Sequence, residues 1–344
     1  MKTIGITSTI PTEVLLAAGY QPVDLNNIFI SDPDPQRYVN IAERDGFPAN
    51  CCTWIKGIYG VALEQGIDMV MCVTSGDCSN TLMLMEVFQI KGMSTLPFAY
   101  SEKPYAPAMQ RALELLATTV GTTLDAAEKA RQKLERARNM AHELDGLTWR
   151  QGVVSGKENH LWLVQASDFL GDVDKYERQL DRLLGDCRKR KPYIDDMLRL
   201  AYIGVPPIFA RDLYDFIERH GGRVVFNETQ RQFAMPSREG SLAQQYISYT
   251  YPYSLSDRLG DILPQLQARR IDGVIHYVQS FCHRGIGDIV FRHYINLPIL
   301  TLEGNQDYAL TGQPRTRIEA FLEMLRQRAK KVPTLPSKAA KGIR

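Results

Sequence analysis

The chain has 344 residues, 44% of them hydrophobic and 23% charged, with a formal net charge of +2. That length exceeds what one hydrophobic core usually serves, so two α/β lobes are expected. The small net charge gives no reason to expect nucleic acid or a membrane surface as a partner. No apolar run approaches the roughly 20 residues that span a bilayer, and the apolar start is too short for a signal peptide, so a cytoplasmic protein is expected.

Residues 3–7 read as a strand, 11–18 as a short helix opened by a proline, and 21–24 as a second strand. Over residues 53–65, Ile55, Ile58, Tyr59 and Leu63 recur at roughly helical spacing. Residues 68–74 form a near-continuous apolar run, as expected of a strand buried on both faces. A helix over 79–90 and a strand over 95–99 complete a βα alternation, which implies a parallel, doubly wound sheet.

From residue 105 to about 190 the chain is rich in Ala, Glu, Lys and Arg, especially over 124–144 and 168–190. This composition favours long helices and predicts a helical insert linking the lobes. A second alternation then places strands at 201–205, 224–226, 273–278 and 297–302. Helices are predicted at 209–219, 256–268, 287–294 and 315–328, the first stopped by Gly221 and Gly222. The tail from Lys331, with its prolines and lysines, is expected to be loose. The division is therefore an N-terminal lobe over 1–102, a helical segment over 103–197 and a C-terminal lobe over 198–344.

Six cysteines in a reducing compartment are not expected to form structural disulfides, and no pair has CxxC spacing. Thiols that matter chemically must converge from distant parts of the chain. Cys78 lies between a buried strand and the following helix, where open α/β sheets bind ligands. The N–H groups of that helix should favour its thiolate. Cys282 repeats the arrangement, and Cys52 again lies just ahead of a helix. Cys72, inside an apolar strand, reads as an inert buried thiol, and Cys187, in a charged helical stretch, as exposed. Cys51 adjoins Cys52, and adjacent residues seldom aim the same way. Three thiolates hold a zinc ion, or a cubane cluster with one iron open to substrate, and ligand softness alone does not separate the two.

Several stretches then carry a resemblance. They are residues 10–23, with Pro11 and Glu13; 52–60, with Cys52, Trp54 and Lys56; and Gly76, Asp77, Cys78, Ser79 and Asn80. Further on come 250–253, with Tyr251, Pro252 and Tyr253; 272–282, ending in Gln279, Ser280, Phe281 and Cys282; and 301–304 with 315–323. In this order the chain resembles the 2-hydroxyacyl-CoA dehydratase family, including its smaller relatives, the double-cubane-cluster proteins. The resemblance implies two Rossmann-like lobes with an oxygen-sensitive iron–sulfur cluster, [4Fe-4S] or double-cubane [8Fe-9S], in the crevice between them. It implies Cys52, Cys78 and Cys282 as the metal ligands, and it is what selects Cys52 over Cys51.

The same resemblance implies a dimer, of identical or paralogous subunits, fed by a separate ATP-hydrolysing iron–sulfur activator. In the dehydratases, one electron converts a 2-hydroxyacyl-CoA to a ketyl radical that loses water. In the double-cubane relatives, small molecules are reduced instead. No GxxxxGK[ST] phosphate loop and no GxGxxG fingerprint occurs, so this chain is expected to bind no nucleotide itself.

Around the cysteines, Glu13 and His283 are the candidate acid–base groups. Glu13 also gains from its helix dipole, and His283 has a reference pKa near neutrality. Lys56, Ser75, Gln279, Arg284 and Glu303 are candidates for binding substrate or supporting the cluster. The pair Tyr251 and Tyr253 reads as a substrate-side loop or as local packing. Arg188, Lys189 and Arg190 are equally a docking patch for an activator or a solvated face. The rival to an enzyme is an iron–sulfur scaffold that stores or passes clusters without turnover.

Overall fold

The computed structural model describes residues 2–194, 196–237 and 240–331. Its strands are β1 (Lys2–Ile6), β2 (Tyr20–Asp24), β3 (Met69–Ser75), β4 (Ser94–Ala99), β5 (Leu198–Gly204), β6 (Gly222–Asn227), β7 (Gly273–Gln279) and β8 (Ile299–Gly304). They form two four-stranded sheets, ordered β2-β1-β3-β4 and β6-β5-β7-β8. Every pairing is parallel. The inner strands are apolar because both faces are covered: Val70, Met71, Cys72 and Val73 of β3 and Ala201, Tyr202 and Ile203 of β5 are fully buried. The architecture is therefore α/β with two Rossmann-like lobes.

Both sheets share one topology. The first strand of each lobe sits between the second and the third, so the chain leaves it in opposite directions to reach its neighbours. The split between β1 and β3, and its counterpart between β5 and β7, is a topological switch point. At such a point the loops beyond the carboxyl ends diverge and leave a crevice.

Composition did not reveal every helix. Leu25–Ser31 and Gln36–Arg44 lie between β2 and Cys52, and Gly156–Val164, Glu228–Phe233 and Leu242–Ser248 lie farther on. The last two are too short for helical periodicity to stand out. Leu25–Ser31 announces itself only through Asp24, whose carboxylate accepts from the Asn26 N–H at 2.9 Å as an N-cap.

The helical segment clamps both lobes. Leu124–Gly146 packs along Thr12–Ala17 of the first lobe, and Gly156–Val164 packs on β6 of the second. Buried ion pairs tie Leu124–Gly146 to both lobes: Arg138 with Glu13 at 2.5 Å and Asp145 with Arg269 at 2.5 Å. Cys187 is buried, not exposed as its charged neighbours suggested. Tyr176, Leu180, Leu184 and Cys187 form the buried stripe of Val173–Cys187, with the charges on the opposite face. The expected loose tail beyond Lys331 lies outside the described residues. Among the described residues no helix is long and apolar enough to cross a membrane.

Candidate functional site

The two switch points face each other across one cavity. The first lobe contributes Thr7, Ser8 and Thr9 beyond β1, Asp24, Asn26 and Asn27 beyond β2, and Asp77 and Cys78 beyond β3. The second contributes Val205 and Pro206 beyond β5, and Gln279, Cys282, His283 and Arg284 at and beyond the end of β7. Cys52, Trp54, Ile55 and Ile58 close one wall, and Val164, Phe233 and Tyr251 close others. Cys52, Cys78 and Cys282, separated by up to 230 positions in sequence, thus border a single space. Cys51 does not line it, because the chain turns at Cys52 into the helix Thr53–Glu64.

Local backbone chemistry presents each thiol. Gly76 takes φ +94°, a left-handed conformation, and a Cβ there would lie 2.7 Å from the Tyr100 Cβ, so glycine is required for the turn that delivers Cys78. Lys56 is fully buried; its ammonium donates to Glu43 at 2.8 Å and to the Ala49 carbonyl at 3.2 Å. It therefore anchors the loop leading into Cys52 and does not line the cavity. Gln279 donates to the Asn305 carbonyl at 3.0 Å and accepts from the Tyr277 hydroxyl at 2.7 Å, fixing the end of β7 just before Cys282.

Arg284 bridges the lobes at the site. Its guanidinium donates to the Gly76 carbonyl at 3.1 Å, lies 3.8 Å from Asp77, and stacks on Tyr251 at 4.4 Å. Of the two tyrosines in residues 250–253, Tyr251 borders the cavity and Tyr253 does not.

Burial pushes the Cys52 thiol up to about 11 and the Cys78 thiol up to about 12, and raises that of Cys282. The N–H groups of the following turns pull the other way without prevailing. Desolvation thus outweighs the helix termini and opposes the thiolate character expected at Cys78. His283 sits exposed at the cavity edge, its pKa lowered by partial burial and by the adjacent Arg284.

The other sequence candidates lie elsewhere. Glu13 is fully buried, paired with Arg138 and accepting from Gln245 and Tyr246 at 2.7 and 2.8 Å. Burial alone would raise its pKa; Arg138 and these donors outweigh that and lower it. A carboxylate held so firmly, outside the cavity, ties helices together and is not an acid–base group. Ser75 and Glu303 are exposed and do not line the cavity; Glu303 accepts from the Ser280 hydroxyl at 2.8 Å. Arg188 and Arg190 are engaged by Glu143 and Glu158, and Lys189 lies 3.7 Å from Asp186, so the basic run is largely neutralised.

The family model of the 2-hydroxyglutaryl-CoA dehydratase D-component matches residues 7–325. The chain belongs to this family. No curated protein matches it. The family is that of a dehydratase component, which supports an enzyme of the 2-hydroxyacyl-CoA dehydratase type. The matched span takes in both switch points and all the cavity-lining residues of this dehydratase-family chain.

Sequence reasoning missed part of the cavity wall: Asp24, Asn26 and Asn27, the threonines of the β1 loop, and Phe233. The signal available was positional, because these residues follow strand ends of a parallel sheet. One buried polar group on the wall, the Trp54 indole N–H, has no hydrogen-bond partner among the described residues.

Proposed function

We propose that this dehydratase-family subunit holds an iron–sulfur cluster on Cys52, Cys78 and Cys282 and removes water from a 2-hydroxyacyl thioester in the cavity between its lobes. One observation carries the reading: three cysteines from separate parts of the chain border one cavity formed by two facing switch points.

The donor set fits the group. Among the described residues no three His, Cys, Asp or Glu side chains are close enough to clasp a single ion. Three thiols bordering one apolar-walled cavity are the soft donors an iron–sulfur cluster takes. When bound, such a cluster supplies low-potential electrons and an iron with a coordination position open to substrate. The chain's own residues do the rest. Arg284 brings a positive charge to the cavity's edge and ties the two cysteine loops together, while Ile55, Ile58, Val205 and Tyr251 restrict water. The Trp54 indole N–H, without a partner among the described residues, can bind a polar group.

The partners follow from the same reading. The 344 residues contain no phosphate loop, so ATP hydrolysis falls to a separate iron–sulfur activator. Phe281, Ile286 and Ile289 are exposed apolar residues next to Cys282, and Leu82 and Met83 are exposed just beyond Cys78. These supply apolar contact area for a second subunit, itself or a paralogue.

Anaerobic purification followed by iron and sulfide analysis and spectra tests the cluster and separates one cubane from a double cubane. Turnover of 2-hydroxyacyl-CoA with activator, reductant and ATP tests the reaction. Iron-free protein after anaerobic reconstitution overturns the first, and sustained turnover with a mild donor and no ATP overturns the second.

A further inference from the structure

Charges and hydrogen-bond donors on the cavity wall set the kind of acyl group it can take. Among the described residues that line it, the basic side chains are Arg284 and, at the edge, His283. Arg284 stands two residues from Cys282, where its guanidinium meets the Gly76 carbonyl and Asp77. Lys56, near Cys52 in sequence, is committed to Glu43 and the Ala49 carbonyl. Against these the wall carries two carboxyl groups, Asp24 and Asp77. The lining residues from stretches without a cysteine include no lysine or arginine.

The neutral donors there are committed as well. Asn26 Nδ2 donates to the Thr7 carbonyl at 2.9 Å and to Asp24 Oδ1 at 2.8 Å. Asn27 Nδ2 donates to the Ser167 hydroxyl at 3.0 Å and to Asp168 at 3.2 Å, and the Asp24 backbone N–H donates to the same Asp168 at 2.8 Å. Both amides spend their hydrogens on holding the wall together. The Trp54 indole N–H has no partner among the described residues. One neutral donor suits a hydroxyl or carbonyl oxygen. A carboxylate taken out of water needs a cation or several N–H donors.

Much of the remaining wall is hydrocarbon. Ile30 of the helix Leu25–Ser31, Ile58 of Thr53–Glu64, Val164 of Gly156–Val164 and Phe233 of Glu228–Phe233 border the cavity from four elements. None of these four helices contains a cysteine, so the apolar surface is built by parts of the chain other than the thiol loops. Each methylene of a ligand covered by such a surface adds to its binding.

We propose that the cavity selects a 2-hydroxyacyl thioester with an uncharged, apolar tail, branched or aromatic, and rejects a dicarboxylic acyl group. Ile30, Val164 and Phe233 are the specificity-determining residues. The matching family model is named for the 2-hydroxyglutaryl thioester, whose far carboxylate would meet this wall without a partner. The inference rests on the dehydratase reading of the cavity.

Two thioesters of one shape separate the cases: 2-hydroxyglutaryl-CoA and 2-hydroxy-5-methylhexanoyl-CoA, in which an isopropyl group replaces the carboxylate. With anaerobically prepared protein and neither activator nor reductant, calorimetry reads binding without turnover. The branched thioester should bind about 10²-fold more tightly. Equal binding, tighter binding of the glutaryl thioester, or no binding of either overturns the proposal. Phe233→Arg puts a cation on the wall and should strengthen glutaryl binding, a gain that damaged packing would not give. Ile30→Lys makes the same test from a second element if the first variant fails to fold. A folded variant without that gain overturns the assignment of the wall. Turnover with activator, ATP and reductant is read separately. Selective binding of the branched thioester without its dehydration overturns the dehydratase reading and leaves the selectivity standing. Dehydration of 2-hydroxyglutaryl-CoA in preference to the branched thioester does the reverse.

Discussion

Arg284 of the C-terminal lobe donates a hydrogen bond to the carbonyl oxygen of Gly76 in the N-terminal lobe, at 3.1 Å. The two residues lie two positions from Cys282 and Cys78 respectively, so one contact sets the spacing of two thiols from different sheets. The Tyr251 ring beneath the guanidinium, at 4.4 Å, and Asp77 beside it hold the same cation in place.

Replacing Arg284 with Ala is expected to cost about 1.5–3 kcal/mol, the usual worth of a charge-assisted hydrogen bond. Arg284→Lys should recover only part, because an ammonium lacks the flat face that lies on Tyr251. Denaturant unfolding of cluster-free protein measures both. A change under about 0.5 kcal/mol for the alanine variant, the range of ordinary surface substitutions, would show that the contact holds nothing.

Serine at Cys52, Cys78 or Cys282 should remove most bound iron from anaerobically prepared protein, whereas serine at Cys51 or Cys72 should not. The reason is geometric: the first three border the cavity and the other two do not. Cys187→Ser should also retain iron but lose about 1–3 kcal/mol of stability, since its hydroxyl would enter an apolar core. Full iron retention by Cys78→Ser would contradict the assignment.

Glu13→Ala should destabilise the protein by about 3–5 kcal/mol, because it strands the buried Arg138 charge. The carboxyl pKa is lowered in the folded protein. Its stabilisation is therefore complete above the unfolded value and disappears as pH falls through the depressed folded value. Unfolding curves of the wild type and Glu13→Gln across the acid range should accordingly converge at low pH. Curves that stay parallel would show that Glu13 is not ionised in the fold.

The proposed dimer should become a monomer in sedimentation runs when Ile286 and Ile289 are changed to Asp. These side chains are 75% and 71% exposed beside the cysteine loop, where an apolar surface gains most from being covered. A double variant with unchanged sedimentation would place the subunit contact elsewhere.

Much of this protein was legible in one dimension. Apolar runs such as residues 69–75 and 273–279 determine buried parallel strands by themselves, because a strand covered on both faces must be continuously hydrophobic. Cysteines directly after such strands follow from the same local rule, and so does the crevice they occupy. Other features depended on which face of an element found a neighbour. Cys187 and Arg188 are adjacent in one charged stretch; helical phase buries the first against the helical core and leaves the second outside with Glu143. Glu13 sits at the start of a helix beside a strand end, a position that reads as catalytic until Arg138, 125 positions away in sequence, is folded against it. Asp24 and Asp168 carry no signal as a pair, because nothing in either segment records the other. Local sequence determines periodicity, caps and turns, which are short-range energies. The partner of a buried charge is decided only when distant segments pack, and that decision separated the structural carboxylate Glu13 from the cavity carboxylate Asp24.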